Sequence, residues 1–365
     1  MTARSGGERA GRSDRGKESQ RVLRPSKPLR LKDVAEAAGV SVTTVSVVMN
    51  DAPNSGIPAK TRDRVLKAAR QLGYVPDVAA QSLRTKRSRT IGFITDRIAS
   101  GPFAGQMITG AQAAAWKAGY VLLVVDTEDL EELAESAARV LLGRRVEGVI
   151  LGSWYHRAVD VPSTLRTHNP ALADCFSSSG EYWAIVPDEV GGGYQATRRL
   201  LKREKAPVGF INLSRKIPAT PGRLKGYKAA LREAGLAYDR RLVLNNESGD
   251  AHEAYELTRR LLDDHPSLRL LFCGNDRTAM GAYEAIKLRG LRIPEDIAVI
   301  GFDNQEIIAS ELMPGLTTVA LPHYEMGERA AERVLELAAS GGQEKVLLVP
   351  KVELAPCQLV ERWSV

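Results

Sequence analysis

The chain has 365 residues, 44% hydrophobic and 26% charged, the balance of a soluble globular protein with room for two or three domains. Its three cysteines (Cys175, Cys273, Cys357) lie far apart and its five histidines are scattered, which argues against a disulfide framework or a metal site. No apolar run reaches the roughly 18–20 residues of a membrane span, and the arginine-rich start has no apolar stretch of a secretory signal behind it.

Charge is unevenly divided. Residues 1–90 hold 19 Lys and Arg against 8 Asp and Glu, and the remainder holds 32 against 36. A basic head that suits a polyanion is joined to a slightly acidic body. Residues 1–28 are rich in Arg, Gly and Ser and read as a disordered basic tail. From Leu29 the chain is patterned. "LRLKDVAEAAG" is Ala-, Glu- and Lys-rich and stops at Gly39, as a short helix does. The next ten residues are mostly β-branched, Ser or Thr, the composition of a strand. As a helix, however, Val42 to Asn50 puts Val45, Val48 and Met49 on one apolar face and Val42, Thr43, Ser46 and Val47 on the other. Ser41 can cap its start and Asn50 its end, while Val34, Ala35 and Ala38 offer a matching face upstream. Two short helices about a glycine turn, the second thin and polar outside, form a helix-turn-helix pattern suited to a major groove about 12 Å wide. A β-hairpin reading would make the preceding helix and its glycine stop coincidences. A third helix follows from Ala59 to Leu72, with Val65, Leu66, Ala69 and Leu72 inward and Gly73 and Pro76 closing it.

After Thr90, short apolar runs ("TIGFITD", "YVLLVVD", "VEGVILGS", "PVGFINL", "LRLLFCGND", "IAVIGFD") alternate with helical stretches, which predicts parallel α/β sheets in two subdomains. Ligands of such sheets bind beyond the carboxyl ends of the strands. The polar residues there (Asp96, Ser153, Asn275, Asp276, Asp303) are therefore candidates, although any single one could be a helix cap. Trp154 at a strand end could make a sugar platform or be an ordinary half-buried tryptophan. "VGGGYQA" is neither GxGxxG nor GxxxxGK[ST], so nucleotide readings are weak, and no GxSxG or paired Cys/His motif is present. "DCFSSSG" reads as a loop. No catalytic residue, cofactor or metal ligand is assigned.

The segment "LRLKDVAEAAGVSVTTVSVVMND" resembles the DNA-binding headpiece of the lactose-repressor (LacI/GalR) family of bacterial transcription regulators. The likeness continues through "IPAKTRDRVLKAARQLGYVPDVAAQSLRTKRSRTIGFI", and more loosely through "GNDRTAMGAYEAIKLRGLRIPEDIAVIGFDN" and "LTTVALPHYEMGERAAERVL". The resemblance implies an all-α helix-turn-helix headpiece joined to an α/β periplasmic-binding-protein-like (type I) core of two parallel-sheet subdomains. The corresponding division is 29–75 headpiece, 76–89 hinge helix and linker, 90–188 with 320–341 the first subdomain, and 189–319 with 342–365 the second. It implies a cytoplasmic homodimer, a near-palindromic double-stranded DNA operator and a small-molecule effector, a sugar or related metabolite, with no membrane partner. No heptad-patterned tail follows Val352, which favours a dimer over a tetramer.

The DNA-binding set on this reading is Leu31, Ser41, Val42, Thr43, Thr44, Ser46, Val47 and Asn50. To these the hinge adds Ala80, Leu83 and Arg84, with Leu83 the wedge that unstacks a minor-groove step. Val47 stands where the family usually has Arg or Lys, so a guanine edge cannot be read there. The effector set is Asp96, Phe103, Trp154, Asp188, Arg223, Asn275 and Asp303. The alternative is a solute-binding protein or an enzyme with only non-specific binding of nucleic acid by its basic tail.

Overall fold

In the computed structural model the described residues are 29–49, 56–75, 87–98, 105–214, 216–340 and 352–365. The expectations for Asn50, Ala80, Leu83, Arg84 and Phe103, for the tail 1–28 and for most of the hinge lie outside them. The chain divides into two compact units, one ending at Gln81 and one beginning at Ser82.

The first unit holds α1 (Leu31–Ala38), α2 (Val42–Met49) and α3 (Ala59–Leu72). The strand-like stretch is helical because its start and one face are each satisfied. Ser41 Oγ accepts the Thr44 N–H at 3.1 Å, and Gly39 at φ 60° turns the chain out of α1. Val45 and Val48 are buried in a core of small side chains with Val34, Ala35, Ala38, Val65, Ala68 and Ala69. That packing offsets the helix propensity lost to β-branching. One inward position differs from expectation: Ala68 is buried, and Leu72 is 38% exposed. The small core ends a turn short of the end of α3.

The second unit begins with β1 (Thr90–Thr95), α4 (Gly105–Lys117), β2 (Val121–Asp126), α5 (Glu131–Gly143), β3 (Val149–Val159), β4 (Ala171–Ser177) and β5 (Ala184–Pro187). There follow α6 (Glu189–Arg203), β6 (Val208–Asn212), α7 (Ala219–Glu233), β7 (Val243–Asn245), α8 (Ala251–Asp264), β8 (Leu270–Cys273), α9 (Asp276–Leu288), β9 (Ala298–Asp303), α10 (Glu306–Ala309) and β10 (Thr317–Ala320). The chain ends with α11 (His323–Ala339), β11 (Val352–Ala355) and β12 (Gln358–Val360). The strands form two six-stranded sheets, in the orders β11-β5-β4-β3-β1-β2 and β12-β10-β9-β8-β6-β7. Within them only the β10–β12 pair is antiparallel. Strands such as β6 and β9 are buried almost throughout and apolar up to their last residues, Asn212 and Asp303, because helices cover both faces.

The chain passes between the sheets three times: from β5 to α6, from β10 to α11 and from β11 to β12. On the second passage α11 packs on α4 so closely that a Cβ at Gly327 would strike the Met107 carbonyl. Two expectations are corrected here. Residues 352–355, expected with the second subdomain, pair parallel with β5 on the edge of the first sheet. "DCFSSSG", expected to be a loop, begins as β4, whose residues Ala171 to Cys175 are all buried between β3 and β5. The glycines of "VGGGYQA" belong to the first turns of α6 and serve packing. A Cβ at Gly193 would strike the backbone of Arg223 on α7.

Candidate functional site

The headpiece presents the outer side of α2. Ser41, Val42 and Thr43 are exposed, and Thr44, Ser46 and Val47 are half-buried. The Ser41 and Thr44 hydroxyls lie 2.8 Å apart, so the cap also orients Thr44. Leu31 is partly buried against the headpiece core, which makes it a support of this surface first. No described side chain of α2 is charged; the outer surface is small, hydroxylated and methylated.

In the second unit a cavity of about 280 Å³ opens where strand ends of the first sheet face those of the second. The second subdomain's rim is built around Arg223, on α7, which is 2% exposed. Its Nε donates to Glu189 Oε2 at 2.7 Å, an Nη atom donates to the Gly274 carbonyl, and another lies 3.5 Å from Asp303 Oδ1. The guanidinium stacks 3.6 Å above the centre of the Phe302 ring. Burial works against the charge of Glu189, but Arg223 and His156 hold its carboxyl below the ordinary value. Burial raises the Asp303 carboxyl to about 6, although Arg223 and the Gln305 amide oppose the rise. Asp303 sits at φ 99°, a conformation that aspartate adopts at a cost. Asn275 caps α9: its Oδ1 accepts the Thr278 N–H at 2.7 Å, and its Nδ2 donates to the Gly249 carbonyl at 3.2 Å.

The first subdomain's rim brings Trp154, Tyr155 and His156 from the irregular middle of β3, not from a strand end as expected for Trp154, and Asp174 from β4. Tyr155, His156, Asp174, Glu189 and Arg277 were not singled out from the sequence. The available signal was adjacency: Glu189 follows Asp188, Asp174 lies in a segment read as a loop, and Arg277 follows the Asn275 cap.

Among the expected effector residues, the structure gathers Trp154, Arg223, Asn275 and Asp303 on this one cavity. It leaves two aside. Asp188 is the cap of α6, its Oδ1 accepting the Gly191 N–H at 2.8 Å, and Glu189 faces the cavity in its place. Asp96 lines a neighbouring pocket and stitches β1 to β3. It accepts from Ser153 Oγ at 2.7 Å, from the Trp154 N–H at 2.8 Å and from Arg157. Among the described residues, no group of three or more His, Cys, Asp or Glu is placed to hold a metal ion, and no helix is long and apolar enough to cross a membrane.

Two family models match. "Bacterial regulatory proteins, lacI family" covers residues 30–77, and "Periplasmic binding proteins and sugar binding domain of LacI family" covers residues 88–361. The sucrose operon repressors of Escherichia coli and Shigella flexneri are 34% identical to the chain over 342 residues, 92% of this chain and 99% of theirs. A PurR repressor of Vibrio atlanticus is 30% identical over 92% of this chain and 98% of its own length. Among solved structures, the lac repressor dimer bound to operator and an anti-inducer superposes with a TM-score of 0.72 at 27% identity, covering 93% of this chain and 99% of that one. The transcriptional regulator CelR in complex with cellobiose gives 0.63 at 26% identity, covering 92% and 100%. With a helix-turn-helix headpiece and a two-sheet core both accounted for, the chain belongs to the LacI family of bacterial regulators, as a DNA-binding protein with an effector-binding domain.

Proposed function

We propose that the chain is a transcriptional repressor, acting inside the cell as a homodimer on a near-palindromic operator. Its DNA affinity is set by a small polyhydroxylated effector, a sugar or related metabolite, held in the cavity. The observation that carries the effector reading is the cavity wall, which draws polar side chains from both sheets around Arg223. A ligand touching both subdomains binds their closed arrangement better than the open one, and that differential affinity is what an allosteric effector requires. Sugars are named for two of the similar proteins, a sucrose operon repressor and a cellobiose-bound regulator.

On DNA, α2 of each protomer enters a major-groove half-site. Ser41, Thr43, Thr44 and Ser46 supply hydroxyls to phosphates and base edges, and Val42 and Val47 supply methyl groups for a thymine methyl or a sugar. Leu83, with Ala80 beside it and Arg84 on phosphate, would wedge the central step.

Selection from a pool of random duplexes at two salt concentrations tests the DNA reading. The expected product is a near-palindrome with a flexible central step, retained at the higher salt. Val47→Arg should shift one position of each half-site toward guanine. Sequence-blind binding that vanishes with salt would instead leave only the electrostatic attraction of a basic head.

A further inference from the structure

Within the cavity the side chain that stands apart is Asp174. It is 1% exposed, and neither carboxylate oxygen has a hydrogen-bond partner. Its backbone is at φ 55° in the middle of β4, opposite the register shift in β3 between Gly152 and Arg157, so the chain departs from regular strand geometry at this residue.

Several basic groups around Asp174 are engaged elsewhere or uncharged, and Arg277 lines the same cavity. Arg223 serves Glu189, Asp303 and the Gly274 carbonyl. Arg157 serves Asp96 and Asp129, and His156 faces Glu189 at 3.7 Å. His323 Nε2 lies 3.9 Å from Asp174 Oδ2, but burial pushes that imidazole down to about 4, so it is neutral at physiological pH. Apart from the charge of Arg223, which opposes the rise, the groups that act on Asp174 are carboxylates: Glu189, Asp303 and Asp96.

We propose that the effector seats a protonated amino group against Asp174, so that the ligand of this cavity is an amino-bearing polyol such as an amino sugar. The inference rests on the cavity being the effector site, as proposed above. An ammonium brings three donors and the missing charge to a carboxylate that a lone hydroxyl would satisfy only in part. Elsewhere on the wall, Arg277 Nε and Trp154 Nε1 are buried donors with no hydrogen-bond acceptor, which suits the hydroxyl oxygens of the same ligand. Trp154 and Tyr155, packed edge-to-face at 5.0 Å, add aromatic surface to the wall, with Arg97 over the first ring and Arg157 over the second. Burial, followed by the charges of Glu189 and Asp303, keeps Asp174 protonated well above the ordinary range. An ammonium arriving there displaces that proton.

The test is calorimetry on the full-length protein with matched pairs: glucosamine against glucose, galactosamine against galactose, amino-alditols against alditols, and the N-acetylated form of each amine. The amino member of at least one pair should bind on the order of 100-fold more tightly than its hydroxyl partner. N-acetylation should abolish that advantage, and the heat should vary with buffer ionisation enthalpy as a proton is released. Asp174→Asn should remove the preference, so that the amine and its hydroxyl partner bind with similar affinity. The proton release is read on the unaltered protein and stands even if the variant folds poorly. A hydroxyl or N-acetyl member that binds as tightly as the amine, without proton release, overturns the inference and leaves the polyol cavity intact. Failure of every pair to bind overturns the polyol reading, and the inference falls with it.

Discussion

Along the second subdomain's rim the buried charge of Arg223 is answered by Glu189 and Asp303. Along the first subdomain's rim Asp174 is equally buried and answers nothing by hydrogen bond. Both are costly arrangements, but they differ in when the cost is met. A buried guanidinium with its carboxylates is preorganised by the fold, whereas an unmatched carboxylate is completed only when a ligand arrives. The contrast divides the cavity into a fixed half and a half that responds to occupancy.

The largest expected effect breaks the fixed half. Arg223→Met should destabilise the protein by about 3–5 kcal/mol, because Glu189 and Asp303 are left buried without a counter-charge. Asp174→Asn, at the same depth, should leave the unliganded protein as stable or make it more so. Urea unfolding of both variants decides the matter: equal losses would erase the distinction between the rims.

A second contrast lies inside the fixed half, between the two acids that share Arg223. Asp303 has a folded value of about 6 against an ordinary 3.8, so the folded state keeps a proton that the unfolded state has released. The stability this lends is complete below about pH 4 and is lost as pH rises to 6, an amount on the order of 3 kcal/mol. Glu189 is depressed, and its contribution is present above its ordinary value of 4.5 and lost as pH falls below it. Across pH 4–6 the unaltered protein should therefore lose ground to Asp303→Asn as pH rises. Its advantage over Glu189→Gln should shrink only on the acid side of that range. Parallel pH profiles for the two variants would mean that Arg223 does not separate them.

How much of this was legible beforehand follows from what sets each feature. The headpiece could be read because a helical face and a cap are local in sequence: Val45, Val48 and Ser41 sit at the spacing their contacts need. Arg223, Asn275, Asp303 and Trp154 were reachable from strand ends and from a family likeness. Glu189 was not, because Asp188 and Glu189 are both acids at a helix start and only the folded turn decides which one caps. Asp174 was hidden by the Ser-rich residues after it, and having no partner is a property of three dimensions alone. The placement of β11 was illegible for a related reason. A short edge strand pairs by hydrogen bonds that carry no side-chain signature, and only two residues separate it from β12 on the other sheet.

Set against the core, the headpiece has little to lose. Among the described residues its buried side chains are all valine or alanine, where the core buries Phe93, Phe210, Phe272 and Phe302. Val45→Ala, at 0% exposure, should cost about 2 kcal/mol. Because the loss falls on the small unit alone, headpiece amides should lose roughly 30-fold of their hydrogen-exchange protection, while amides of β6 and β8 keep theirs. Loss of protection in both units would show that they unfold together.

The smallest effect is the cap, which tests whether Ser41 is structural, DNA-facing or both. Ser41→Ala removes the oxygen that receives the Thr44 N–H and should cost the headpiece about 1 kcal/mol. Ser41→Asp keeps an acceptor at the same helix start and should restore exchange protection to the level of serine. On operator DNA the two should part company. Aspartate at an exposed position beside the phosphates is repelled, so binding should fall further in Ser41→Asp than in Ser41→Ala even though its headpiece is the better folded. If affinity instead follows protection, with aspartate binding as serine does, Ser41 is only the cap of α2, and the DNA contacts begin at Thr43.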